Sequence, residues 1–145
     1  MIQATYEDAA LIMKLYDLRR EERLRKARDW FRKEFQAKTV QEQTGKNPRG
    51  SEQEFFLGMV LGYWEMAASF LMRGIVHEEL FFENCGELFA VWEKAKPLIE
   101  EYRRQMKNPL IGKNMEKAME KYVAWLDRNA PGACEAMRSM ISGQS

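Results

Sequence analysis

"FFLGMVLGYWEMAASFLM", Phe55 to Met72, holds one charged side chain, Glu65, in eighteen residues. Such a stretch is a membrane span, the buried centre of a helical bundle, or the wall of a site built around that carboxylate. At 1.5 Å per residue it reaches about 27 Å, slightly less than the roughly 30 Å hydrocarbon core of a bilayer. Its Phe, Leu and Val side chains contribute roughly −3 kcal/mol to insertion, and a carboxylate near the centre costs about as much. Length and energy are both marginal, so the flanking sequence decides.

The flanks read as amphipathic helices. Tyr6, Ala9, Met13 and Tyr16, then Leu24, Ala27, Phe31 and Phe35, keep a 3.6-residue spacing and predict one long first helix from about Thr5 to Lys38. Leu88, Trp92, Ala95, Ile99, Tyr102 and Met106 keep one stripe through Pro97 without a phase change, which predicts a single helix kinked there. Met115, Ala118, Met119, Tyr122, Trp125 and Leu126 mark another, near Asn114 to Asn129, and Pro131 opens a last short one with Cys134, Met137 and Ile141. One-sided stripes need an apolar cover, and the Phe55–Met72 helix, apolar all round, is the obvious one. It therefore reads as a core helix and not as a transmembrane segment. Ser51 and Glu54 form a capping box at its start, and Gly74 suits a left-handed cap after Arg73. Gly58 and Gly62 give a GxxxG spacing, read here as letting a neighbouring helix of the bundle pass close.

Strand signals are nearly absent, and each long helix carries one tryptophan: Trp30, Trp64, Trp92 and Trp125. The expected fold is all-α: a four-helix-type bundle with a long first helix and one or two short accessory helices. "IVHEELFFENCG" reads as a short connector, residues 39–51 as the one real loop, and about 142–145 as a flexible tail. At 145 residues one domain is the simplest reading. Lys and Arg number 23 against 22 Asp and Glu, so no net charge draws the molecule to nucleic acid or an acidic membrane. Two cysteines without ligand spacing make a disulfide framework or a structural zinc an unsupported reading. Glu7 and Asp8 precede the first basic residue, Lys14, the wrong order for a secretory signal, and the expected location is cytoplasmic.

Tyr63 to Arg104 carries an aromatic-Glu pair in mid-helix, then Arg73-Gly74-Ile75, an acidic turn, and Trp92-Glu93-x-x-Lys96-Pro97 before a charged helix end. This pattern resembles a bacterial family of short all-helical proteins known only as a domain of unknown function. The likeness extends loosely from Asp17 to Leu126. It implies a helical fold and carries no activity with it. Where the family pattern has an acidic capping residue after Gly-Ile, this chain has His77.

Four groups of residues bear on function. Leu11, Leu15 and Leu18 form a second apolar stripe on the first helix, and two stripes on one helix end suggest an extra neighbour, either deeper core or a contact with a protein partner or second copy. The reading taken is the contact. Arg19, Arg20 and Arg23 lead a run from Arg19 to Lys33 with eight basic and three acidic residues, the alternative being a nucleic-acid surface. The charges lie all around the helix, and Glu21-Arg25, Glu22-Lys26 and Asp29-Lys33 are ready i,i+4 pairs, which favours a solvated face. Glu65 is the candidate for a buried polar or ligand-binding group, with a structural ion pair to an Arg or Lys of the first helix, or to Arg73, Arg103 or Arg104, as the plainer reading. One histidine, no Glu-x-x-His pair and no strand-turn-helix elbow leave no catalytic residue, no metal site and no cofactor to name. The expected function is therefore non-enzymatic helix-mediated protein contact or self-association.

Overall fold

A computed structural model describes residues 2–143. The chain is all-helical, with no strand among the described residues. Its helices are α1 (Tyr6–Arg20), α2 (Glu22–Glu34), α3 (Val40–Lys46), α4 (Glu52–Met72), α5 (Glu78–Phe82), α6 (Gly86–Met106), α7 (Lys113–Asn129) and α8 (Ala133–Gly143). Helix α4 packs against both α2 and α7, and α6 and α8 pack against α7 and each other, with α6 also bonded to α2. Eight of its side chains, from Phe56 to Leu71, are buried, with Trp64, Ala67 and Ala68 almost free of solvent. The apolar stretch is thus the spine of the core, although by length and composition alone it is also long and apolar enough to cross a membrane.

The long first helix does not form. The chain breaks at Glu21, whose backbone turns to φ −57°, ψ 140° and whose carboxylate accepts from the backbone N–H of Arg23 and Leu24, capping α2. The cause lies in the two stripes. At 100° per residue, Leu11, Ile12 and Leu15 would lie roughly 130° around one straight helix from Leu24, Ala27, Trp30 and Phe31. A continuous rod cannot bury both sets. Breaking at the charged Arg19–Arg23 run, where no apolar contact is lost, turns both toward the core. The regular Tyr6–Phe35 spacing was therefore misleading: Leu15 is 4% exposed, while Tyr6 and Met13, on the expected docking stripe, are 96% and 68% exposed.

Residues 39–51 are not a continuous loop. Thr39 Oγ1 accepts from Glu42 N at 3.1 Å and starts α3, whose first N–H, that of Val40, is taken by Glu101 of α6 at 2.9 Å. The Thr39-x-x-Glu42 spacing is a capping-box signal masked by the Gly, Asn and Pro that follow. Among the described residues the short helices thus number three, α3, α5 and α8, where one or two were expected. Of the expected flexible tail, 142–143 belong to α8 and 144–145 lie outside the described residues. The other boundaries follow the sequence closely. Ser51 Oγ accepts from Glu54 N, Gly74 takes φ +71°, and α6 runs through Pro97 as one helix. His77 fills the capping position of α5: its Nδ1 accepts from Leu80 N at 3.2 Å.

Candidate functional site

Helix α7 begins at Gly112, held at φ +66° with no side chain to cap the helix. A side chain there would be strained by the left-handed backbone and its Cβ would crowd Ile99 Cγ2 at 3.1 Å, so glycine suits the junction and the cap comes from elsewhere. Glu65 supplies it from α4. Its carboxylate accepts from Asn114 N at 3.2 Å, Asn114 Nδ2 at 3.0 Å and Met115 N at 2.9 Å. These backbone N–H groups are the ones an ordinary N-cap side chain would take, and a negative charge at a helix N-terminus is favoured by the helix dipole. The expected partner of Glu65 was an arginine or lysine; its hydrogen-bonding partner is the start of a helix 49 residues away. Arg103 instead pairs with Glu116 at 3.3 Å.

A second polar network joins four helices. Arg28 of α2 donates through Nε and Nη2 to both oxygens of Glu87 on α6, the shortest contact being 2.8 Å. Its Nη1 donates to the carbonyl of Arg19, at the end of α1, at 2.8 Å. Glu87 also accepts from the indole Nε1 of Trp64 at 3.2 Å, and Tyr63 donates to the Leu15 carbonyl at 2.6 Å. The bond to Glu87 raises the Arg28 pKa, and desolvation raises that of Tyr63. The network closes the break between α1 and α2: the carbonyl of Arg19, freed at the end of α1, is taken by the Arg28 side chain. Sequence reasoning missed it because Arg28 and Glu87 are 59 positions apart.

The basic run is dispersed. Arg19 lies with its guanidinium 5.0 Å from the Trp64 ring centre and 5.4 Å from that of Tyr16, and Arg20 lies 5.7 Å from Tyr16. Arg23 stands apart, beside Lys26, Glu52 and Phe55. Glu22–Lys26 forms as an i,i+4 pair, whereas Asp29 pairs with Arg32 and Glu21 is used as the cap. Of the leucine stripe, Leu15 is buried, Leu11 is half-buried against the core and Leu18 is exposed. The fold does not bring the three together on one open surface. No group of three or more His, Cys, Asp or Glu among the described residues is placed to hold a metal. Burial pushes the Cys85 thiol up to about 12, far from a nucleophilic range.

What remains open is one face of α4. Only 44% of its most apolar eighteen-residue window is buried. Phe55 is 58% and Met66 38% exposed, Gly58 and Gly62 lie exposed between them, and a Cβ at either glycine would meet nothing within 4 Å. The expectation that a helix of the bundle passes over the GxxxG pair is therefore overturned. The neighbours of α4, chiefly α2 and α7, approach it from its other sides. The signal was present in the sequence, but nothing in the spacing told which helix faces the glycines.

Residues 4–122 match the family described as Domain of unknown function (DUF4760), and the chain belongs to that family. The match covers the Tyr63–Arg104 pattern and reaches back through α1. No curated protein and no solved structure matches the chain.

Proposed function

We propose that this member of the family is a non-catalytic cytoplasmic helical protein that works through helix-mediated protein contact, its α4 face pairing with that of a second copy. The observation that supports this reading is the uncovered apolar face of α4, running from Phe55 through Gly58, Gly62 and Met66 to Ser69 without a charge. A helix this apolar is normally covered on every side, and contiguous exposed apolar surface marks a contact site.

The face is self-complementary. In an antiparallel pair with its two-fold axis at Gly62, Met66 lies over the partner's Gly58 and Phe55 over the partner's Ser69, large against small. Arg73 at one end of α4 then meets the acidic first turn of the partner helix, where Glu52 is exposed. A parallel pair would set like charges together. The face is about 30 Å long and about 10 Å wide, less than the roughly 800 Å² per partner of a standard interface, so the association is weak and concentration-dependent.

Sedimentation velocity without detergent, from low to high micromolar protein, tests the reading. The wild type shifts from 17.1 kDa toward twice that mass. Gly62→Lys sets lysine against lysine on the axis and holds the protein monomeric, with an unchanged far-UV spectrum because the site is open. Met13→Lys, on the exposed stripe of α1, leaves association intact. A wild type that stays monomeric throughout, or that partitions into lipid vesicles instead, overturns the reading. So does a Gly62→Lys variant that associates like the wild type while Met13→Lys does not.

A further inference from the structure

Lys94, in the middle of α6, differs from its neighbouring cations. Lys96 pairs with Glu93 and Arg103 with Glu116, but no carboxylate among the described residues pairs with Lys94. Its half-buried ammonium donates to the carbonyls of Phe31 at 3.0 Å and Arg32 at 3.3 Å, near the end of α2. It also lies 5.2 Å from the centre of the Phe31 ring, a cation–π contact, so its partners are two carbonyls and a ring face, with no anion among them. Desolvation lowers the Lys94 pKa, as expected for a cation short of anionic partners.

The ammonium stands where two cavities meet. One, of about 120 Å³, is lined mainly by apolar groups of Phe31, Val60, Val91 and Ile141, with Arg28 and Arg32 at its edge. The other, of about 310 Å³, runs along Phe35, Pro97 and Ile141. Lys94 and Ile141 line both. Across the two linings five cations face two carboxylates, Glu87 and Glu93. Glu87 is taken by Arg28 and Trp64, and Glu93 by Lys96 and Arg138. Arg32 is likewise paired with Asp29, so of the five cations Lys94 and Lys38 are left without a carboxylate among the described residues, and Lys94 is the one beside the apolar slot.

We propose that this cleft between α2, α6 and α8 binds a small monocarboxylic acid with a compact apolar body, its carboxylate on Lys94 and its body in the slot of Phe31, Val60, Val91 and Ile141. The slot is close in size to apolar cavities of about 150 Å³ that accept benzene, so the body is about six carbons. A phosphate monoester does not suit the site, because its double charge would lose more hydration in an apolar slot than one ammonium returns.

Benzoate is the probe, titrated at neutral pH and low salt into the ¹⁵N-labelled protein. Saturable shifts are expected at Val91, Lys94 and Ile141. Lys94→Met, which keeps the length of the side chain without its charge, weakens binding at least about tenfold, as does exchanging benzoate for benzyl alcohol. Because Lys94 also holds the end of α2, a second variant is needed: Ile141→Trp, near the end of the chain, fills the slot and abolishes binding in a folded protein. Shifts that never saturate, benzyl alcohol binding as tightly as benzoate, or benzoate retained by Ile141→Trp would each overturn the assignment.

Discussion

Glu65→Ala is the most informative change to the interior. The carboxylate serves two backbone N–H groups and one side-chain amide at the start of α7. Losing an N-cap side chain costs about 1 kcal/mol, with a range of about 0.5–2. Losing the negative charge from a helix N-terminus adds about 0.3–1 kcal/mol. Glu65 is only partly buried, so water replaces some of the lost bonds. The expected total is about 2 kcal/mol. Glu65→Gln retains an acceptor oxygen and loses the charge, so about 1 kcal/mol is expected. Rescue from the local sequence is blocked, because Gly112 has a left-handed backbone and lies against Ile99. In urea, with a slope of about 2 kcal/mol per molar, the alanine variant moves the midpoint by about 1 M and the glutamine variant by about half that, the slope unchanged. A midpoint shift below about 0.2 M for alanine would refute the capping role. A glutamine variant as stable as the wild type would show that the charge at the helix start contributes nothing.

Three further changes test other parts of the account. Glu87→Gln leaves Arg28 and the Trp64 indole with a poorer acceptor; since the pair is about one-third exposed, solvent screening limits the expected loss to about 1–2 kcal/mol by chemical denaturation. Gln43 is 2% exposed; among the described residues its Nε2 has no hydrogen-bond partner and its oxygen accepts from Asn47 Nδ2. Gln43→Met is therefore expected to be neutral or stabilising by up to about 1 kcal/mol, and a loss beyond about 1 kcal/mol would contradict the orphaned donor. On acidification, the Thr5 N–H holds Asp8, the Arg23 N–H holds Glu21, and the Lys113 bond holds Glu116 below their ordinary values. Each group binds its proton more weakly folded than unfolded, so its contribution is complete at neutral pH and is lost as pH falls below the ordinary values of 3.8 to 4.5 and through the lowered ones. Melting temperature by circular dichroism should begin to fall in that acid range; a fall mainly above pH 5.5 would point to other groups.

The helices were largely legible because their signals are local. A stop at Gly74, a start at Ser51 and the stripe through Pro97 each depend on residues within a few turns of one another. Helix α3 was also signalled, by Thr39 and Glu42, but the signal is short and Gly45, Asn47 and Pro48 close behind it have the composition of a loop. The break at Glu21 was harder. The Tyr6–Phe35 stripe is regular, and only the need to bury Leu15 and Leu24 on one core makes a single rod unworkable.

The candidate sites were less legible, for a related reason. Composition and periodicity determined that this chain is all-helical, that Phe55–Met72 is its most apolar helix, and that Glu65 needs partners. Which partners was a tertiary matter: the N–H groups of α7 lie 49 and 50 positions away, and Glu65 serves them because position 112, left-handed at φ +66° and crowded by Ile99, is glycine and has no side chain to cap them. Likewise, helical spacing identifies an apolar face without saying what covers it. Only the packing of α1 on α2 and α5 decided that Leu15 turns inward while Tyr6 and Met13 turn outward, and only that of α2 and α7 on α4 left the Gly58–Gly62 face open, because the number of faces a helix can bury is set by its neighbours and not by its own sequence.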